Sequence, residues 1–293
     1  MKKIIYPVFS LILLIVLGSC VDDPSVNATR LRIHLTDAPI SASSDKSVII
    51  HEFHVDIDKI EVSATDSLGG NEEWITLDYK GGRYDLLPLT NGKLKEIYDA
   101  YFPAGNLLRM KVYYGDNSIL IVNKDKKEHQ VHLDPACQDG VEYEVNTALY
   151  PHYVSNIIID INASLSLYEE GGNFYFKPEA RVFSATYGGT LKGRAGPMEA
   201  LPAVFAFNET DTLLTFPEPA DGTFQLLGLN EGVWDIYIFS RLGAIYTDTL
   251  FADTIYTGKD TTLTPITLKL IQEPEEPDPE YPDTNEPDPD EEE

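Results

Sequence analysis

A period of two in the apolar residues constrains this chain more than any other feature. Ile157, Ile159, Ile161, Ala163, Leu165 and Leu167 alternate with Ile158, Asp160, Asn162, Ser164 and Ser166. Successive strand side chains point to opposite faces, so the run predicts one long, half-buried strand. Phe53, Val55 and Ile57 share a face in the same way. Ile60 and Val62 share one after a slip of one residue, which predicts a bulge near Asp58-Lys59. EEWITLDY, LLRMKVYYG, SILIV, HQVHL and NFYFKP read as further strands, with turns at Gly69-Gly70, Gly81-Gly82 and Gly171-Gly172. Seventeen Tyr and 20 Gly suit short strands and turns. One helix is expected in TNGKLKEIYDAYFPAG, where Leu94, Ile97, Tyr98 and Tyr101 fall at i, i+3, i+4 and i+7. Thr90 or Asn91 would cap it and Pro103 would end it. Many short strands with one short helix predict an all-β chain of two β-sandwich domains.

The two ends are different in kind. Lys2 and Lys3 precede an apolar run from Ile4 to Leu17, too short to span a bilayer and of the length of a signal h-region. The run closes on Leu17-Gly18-Ser19-Cys20, which resembles the lipobox of bacterial lipoproteins. That resemblance implies cleavage between Ser19 and Cys20 and lipid on the Cys20 thiol. Several acyl chains at one residue anchor stably where a single chain would not. Asp22 and Asp23 resemble the surface-export signal of one large Gram-negative phylum, which implies an outer-membrane lipoprotein facing the exterior. A periplasm-facing lipoprotein is the rival reading. With Cys20 lipidated, Cys137 has no intramolecular partner and the fold has no disulfide. At the other end, residues 273–293 hold 12 Asp or Glu and six Pro, with no Lys or Arg. Such a stretch repels itself and has no apolar face, so a disordered tail is expected. The net charge of −26 excludes nucleic acid as a partner on electrostatic grounds.

The expected organisation is a signal peptide over 1–19, a tether over 20–29, a first sandwich over 30–185, a second over 187–271 and a disordered acidic tail over 272–293. Leu35–Pro39 (LTDAP), Asp85–Leu89 (DLLPL), Pro103–Gly105 (PAG), Asp160–Leu167 (DINASLSL) and Phe176–Val182 (FKPEARV) occur in the order of a bacterial domain of unknown function, family 4382. The resemblance covers roughly residues 29–184. It implies a secreted or lipid-anchored envelope protein and brings no established activity. Asp37, before Ala38-Pro39, and Asp85 are expected to hydrogen-bond turn backbone rather than to catalyse. The stretch from Gly189 to Leu270 resembles the carboxypeptidase regulatory-like, transthyretin-type sandwich. The resemblance rests on Asp221-Gly222, Phe224, Leu226, Gly228-Leu229 and Gly232, with Trp234 where that family usually has Tyr. Trp234, Ile236 and Ile238 should face one side, and Tyr237 and Phe239 the other.

No catalytic constellation is present: the sequence has no Gly-x-Ser-x-Gly, no Walker loop and no His-Glu-x-x-His. The pairs His51/His54 and His129/His132 lie three apart in strand patterns and face opposite sides, which suits surface histidines rather than zinc ligands. His54, Asp56 and Asp58 alternate on one strand face, and Asp160 and Asn162 on another. Were those strands neighbours, their oxygens could hold Ca²⁺; otherwise each is a solvated sheet face. Trp74, Tyr79, Tyr84, Tyr113, Tyr114, Tyr237 and Tyr246 are candidates for sugar stacking, weighed against core or cross-strand packing. Ser67, Thr212, Thr249, Thr254 and Thr261 sit in Asp-Ser/Thr-apolar triplets that resemble O-glycosylation sites of the same phylum.

These readings converge on a non-catalytic, surface-exposed lipoprotein that binds glycan, with the membrane as partner through its lipid. The alternatives are a structural or protein-interaction module of the envelope, and a Ca²⁺-stabilised adhesin-like domain. An exposed aromatic platform would favour glycan; a long unpaired edge strand without one would favour a protein partner.

Overall fold

The computed structural model describes residues 27–39, 49–66, 70–122, 127–243 and 245–271. Ser19, Cys20, Asp22, Asp23, Ser67 and the acidic tail lie outside the described residues. The first sandwich comprises β1 (Ala28–Ala38), β2 (Ile50–Asp66), β3 (Glu73–Thr76), β4 (Gly82–Asp85), β5 (Lys95–Pro103), β6 (Gly105–Tyr114), β7 (Ile119–Val122), β8 (Lys127–Leu133), β9 (Val141–Leu149) and β10 (Val154–Asn162). The one-turn helix α1 (Ala163–Ser166), β11 (Leu167–Glu170), β12 (Asn173–Phe176) and β13 (Ala180–Ser184) complete it.

One layer has the order β13-β10-β1-β5, with β1 parallel to β10 and antiparallel to β5. The other is built on β2, whose 17 residues span about 55 Å at strand rise. That length lets β2 carry two strands end to end on each edge. His54 pairs with both Asp85 and Ile119, Ile57 with both Gly82 and Tyr114, and Val62 with both Ile75 and Met110. Thus β3 and β4 share one edge of β2, and β6 and β7 share the other. The register slips between Ile57 and Lys59, at the place where the alternation slips in the sequence. The slip keeps Ile57 and Ile60 both in the core. Leu31, Ile33, Leu35, Ile157, Ile159 and Ile161 meet Phe53, Val55, Val62, Met110 and Val112 between the layers, all fully buried.

Two local expectations are corrected. The helix expected after Thr90 is the strand β5. Its register slips against β1 between Ile33 and His34, so that Ile33 pairs with Tyr98 and His34 with Glu96. Ile97 is the extra residue, and both Ile97 and Tyr98 pack on the core. A bulge thus places two successive residues inward and imitates helical spacing. The alternating run through Leu167 stops being a strand at Asn162. Asn162 Oδ1 accepts from Leu165 N at 3.2 Å, and Ser166 Oγ donates to Asn162 O at 2.7 Å. These local bonds close a helical turn instead of a ladder, leaving Leu165 70% exposed.

The second sandwich comprises β14 (Gly189–Gly196), β15 (Pro202–Phe207), β16 (Thr212–Thr215), β17 (Thr223–Leu229), β18 (Gly232–Ser240), β19 (Thr249–Ile255), β20 (Asp260–Thr262) and β21 (Ile266–Thr267). One sheet runs β17-β14-β20, with β21 also on β14; the other runs β16-β15-β18-β19. Trp234, Ile236 and Ile238 fill the space between with Leu191, Val204 and Phe224, and Trp234 Nε1 donates to Asn230 O at 2.9 Å. This sandwich lies against the outer face of β10 and β13: Ile158 and Phe183 are buried, and both line a crevice with Gly188, Leu227 and Gly228. The face of β10 that carries Asp160 is therefore an inter-sandwich face, not a solvated one.

Candidate functional site

The residues proposed for Ca²⁺ do not assemble into one site. His54, Asp56 and Asp58 belong to β2, Asp160 and Asn162 to β10, and the two strands lie in different layers. His54 Nε2 is 2.7 Å from Glu52 Oε2. Asp56 is buried and its Oδ2 accepts from the backbone N and side-chain Nδ2 of Asn117, fastening the turn between β6 and β7. Asp58 lies beside it: burial first, then the charges of Asp56 and Asp116, pushes its carboxyl above the usual range. Asp160 pairs with Arg181 and Asn162 caps α1. Glu52, His54 and Asp85 do bring ligand atoms within 4.8 Å of one another. Asp85 Oδ1, however, already accepts from Phe53 N at 3.1 Å and Leu87 N at 3.3 Å, which is the turn-holding role expected of it.

The aromatic candidates divide by what covers their rings. Tyr114 is core, edge-on to Phe176 at 5.2 Å and hydrogen-bonded to Tyr143 at 3.1 Å. Tyr79 and Tyr84 share a hydroxyl–hydroxyl bond of 2.9 Å, half-buried against the same core. Trp74 is 41% exposed, but the Arg109 guanidinium lies 5.0 Å over its ring. Lys59 and Lys111 stand 3.7 and 5.6 Å from the Tyr113 ring centre, and Tyr113 Oη donates to Glu61 at 2.8 Å. Cations thus occupy the stacking positions on Trp74 and Tyr113. Tyr246 packs against the second core and bridges to Leu270.

Tyr237 is different. Along β18, Val233, Asp235, Tyr237 and Phe239 point away from the Trp234 core, as their spacing predicts. Phe205 pairs across to Tyr237 and Leu214, and Tyr237 pairs across to Leu250. Directly opposed residues share a face, so Leu214, Phe205, Tyr237 and Leu250 form a row across all four strands. Phe239 lies near-parallel to Phe205 at 5.8 Å and to Tyr237 at 5.1 Å. Tyr237 Oη donates to Asp248 Oδ2 at 2.6 Å, and exposed Asp235 lies on the same face. Leu250 is 62% exposed. The result is an aromatic platform with acceptors at its border. Sequence reasoning found Tyr237 and missed Phe205, whose alternation in PAVFAF gives its face but not its neighbours.

A second feature is a cleft of about 230 Å³ between the sandwiches. It is lined by Asp37, Asp160, Asn162, Glu179 and Arg181 from the first and by Thr212–Thr215 and Gln225–Leu227 from the second. Residues of LTDAP, DINASLSL and FKPEARV thus meet at one place. Asp37 Oδ1 accepts from Ala163 N at 3.0 Å, a bond across 126 residues rather than the local turn expected; Oδ2 is buried without a partner among the described residues. Burial dominates and pushes the Asp37 carboxyl well above its usual range; the Ala163 bond opposes this, and Asp160 and Asp85 add to it. Arg181 pairs with Asp160 and reaches across to Leu227 O and Gly228 O, both at 3.3 Å. Asn91, at φ +61°, lies against β17: its Oδ1 accepts from Gln225 N at 2.6 Å and its Nδ2 donates to Thr223 O at 3.1 Å. Lys93 pairs with Glu218 at 2.7 Å.

The sequence profile described as Domain of unknown function (DUF4382) matches residues 28–178, just over half of the chain. The chain belongs to this family. The DUF4382 match takes in β1 to β12, while β13, which completes the β13-β10-β1-β5 layer, lies just beyond it. No curated protein matches the chain. Among solved structures, the Bacillus anthracis TIE protein aligns at 11% identity and a TM-score of 0.24 over 80% of this chain; the chain spans 39% of its length. GBS52, the minor pilin of Streptococcus agalactiae, aligns at 10% identity and 0.23 over 84% of this chain and 99% of that one. A fimbrial protein from Bacteroides ovatus ATCC 8483 aligns at 12% identity and 0.22 over 82% of this chain and 50% of that one.

The other candidate positions stay dispersed. Thr212 is exposed at the start of β16, Thr249 and Thr254 lie half-buried on β19, and Thr261 on β20 donates to Thr254 O at 3.4 Å. Cys137 is buried and free, and burial pushes its thiol upward.

Proposed function

We propose that this DUF4382 protein is a non-catalytic binding module of a Gram-negative cell surface, held by lipid on Cys20, and that its second sandwich, of carboxypeptidase regulatory-like type, takes glycan on the Phe205–Tyr237–Phe239 platform. The platform is the observation that carries the reading. Sugar C–H faces stack on flat rings while nearby carboxylates accept hydroxyl protons, and Asp235 and Asp248 stand at its border. Lipid attachment is supported by the Leu17–Cys20 motif behind its apolar run, and outward orientation by Asp22 and Asp23.

A glycan array probed with the full chain tests this. Tyr237→Ala and Phe205→Ala are each expected to weaken a glycan hit about tenfold, the scale of one lost aromatic contact, while Trp74→Ala leaves it unchanged. An array without hits, or hits indifferent to Tyr237, overturns it. The second reading, a protein-interaction module, has one observation of its own: β19 is an edge strand of seven residues with Leu250 exposed, open to an added strand.

A further inference from the structure

The three most exposed tyrosines among the described residues lie at one end of the β10-β1-β5 layer. Tyr153 is 69%, Tyr101 67% and Tyr150 62% exposed, with Val154 at 49% beside them. Tyr150 and Tyr153 pack edge to face at 6.3 Å. Val154, Arg30 and Tyr101 are directly opposed across β10, β1 and β5, so they share one face. Of the other exposed tyrosines, Tyr168 donates to Asp134 and Tyr187 to Asn230, both at 2.8 Å, and Tyr256 has the Lys259 ammonium over its ring at 5.5 Å. The hydroxyls of Tyr101, Tyr150 and Tyr153 have no such partner among the described residues. The Arg30 charge at this rim is matched by Asp99, through two bonds of 2.5 and 2.8 Å.

The described part of the chain also begins at this rim. Ala104 N donates to Asn27 O at 3.0 Å and His152 N to Ala28 O at 2.9 Å, which pins the start of β1 between the β5–β6 and β9–β10 connections. Asn27 lies seven residue steps after Cys20. Fully extended they reach at most about 25 Å, so a lipid on Cys20 holds this end of the sandwich close to the bilayer. Tyrosine, with an apolar ring and a polar tip, is the residue type that prefers the headgroup boundary.

We propose that Tyr101, Tyr150, Tyr153 and Val154 form a foot that rests in the headgroup layer of the membrane, with hydroxyls bonded to lipid phosphate and carbonyl oxygens. The foot orients the first sandwich upright and turns the inter-sandwich cleft away from the lipid. It rests on the lipid reading of Cys20, so the test separates the two.

The full chain, expressed with its N-terminal segment in a lipoprotein-processing bacterium, is first weighed intact. Lipid mass on residue 20 establishes the anchor. The protein then enters phosphatidylcholine vesicles carrying a doxyl-labelled phosphatidylcholine quencher. A bimane dye is placed on Tyr153→Cys or, in α1 just beyond the far end of β10, on Leu165→Cys; wild-type protein treated alike serves as the blank for buried Cys137. The foot predicts quenching at 153 about threefold stronger than at 165, falling to the level at 165 when Tyr101 and Tyr150 are changed to Ser. Equal quenching at the two positions overturns the foot while leaving the anchor standing. Should the mass show no lipid, the anchor reading fails and the foot is read by flotation of the full chain with the same vesicles. Flotation lost in the Tyr101→Ser, Tyr150→Ser, Tyr153→Ser triple variant supports it, and no flotation of wild type overturns it.

Discussion

Asp37 shows how one side chain can hold structure at a cost. Its Oδ1 secures Ala163 at the start of α1, while Oδ2 is buried without a partner among the described residues. A carboxyl whose folded-state pKa is raised binds its proton more tightly when folded. The fold is therefore best supported below the ordinary carboxylate range, and stability falls as pH rises from there toward the raised value. Asp37→Asn keeps an acceptor for Ala163 and removes the charge. It is expected to be about 1–3 kcal/mol more stable than wild type at pH 7, with the gap closing near pH 4, by urea titration at both values. A variant equally destabilised at both would refute this account. The role was half legible: Asp before Ala-Pro signals backbone bonding, but a partner 126 residues away leaves no local trace.

At the scale of elements, alternation located most strands because each layer buries one face. It failed where the backbone spends a residue irregularly. Ile97 is a bulge that reads as helix, and Asn162 is a cap that reads as strand. Asn162→Ala should remove the Leu165 bond and cost about 1 kcal/mol, measured by urea unfolding, with no change in Ca²⁺ response if the cap is its whole role. A Ca²⁺-dependent difference between Asn162→Ala and wild type would contradict that assignment. The platform was legible as a face of β18, since Tyr237 and Phe239 alternate with the core. Which strand supplies Phe205 depends on sheet order, and no local pattern encodes that.

For the whole molecule, the junction between sandwiches rests on few groups. The Asn91 amide engages β17 as a neighbouring peptide would, giving Thr223 O a donor and Gln225 N an acceptor, and Arg181 caps two carbonyls beyond it. Asn91→Ala is expected to cost about 1–2 kcal/mol and to split a single calorimetric transition into two, because the sandwiches have separate cores. A single transition at lower temperature would mean that the buried contact of Ile158 and Phe183 suffices to couple them. The junction was not legible in the sequence: the polar side of β10 looks solvated until its cover is seen.

The position of β1 has a mechanical meaning. It is the first strand among the described residues and also an interior one, bonded along its length to β10 on one side and β5 on the other. A pull on the residues that precede it runs along the strand axis. The hydrogen bonds of both ladders then share the load in shear, instead of opening one after another as an edge strand peels. A protein held at its N-terminus and dragged by whatever it grips would be loaded through the strand hardest to extract.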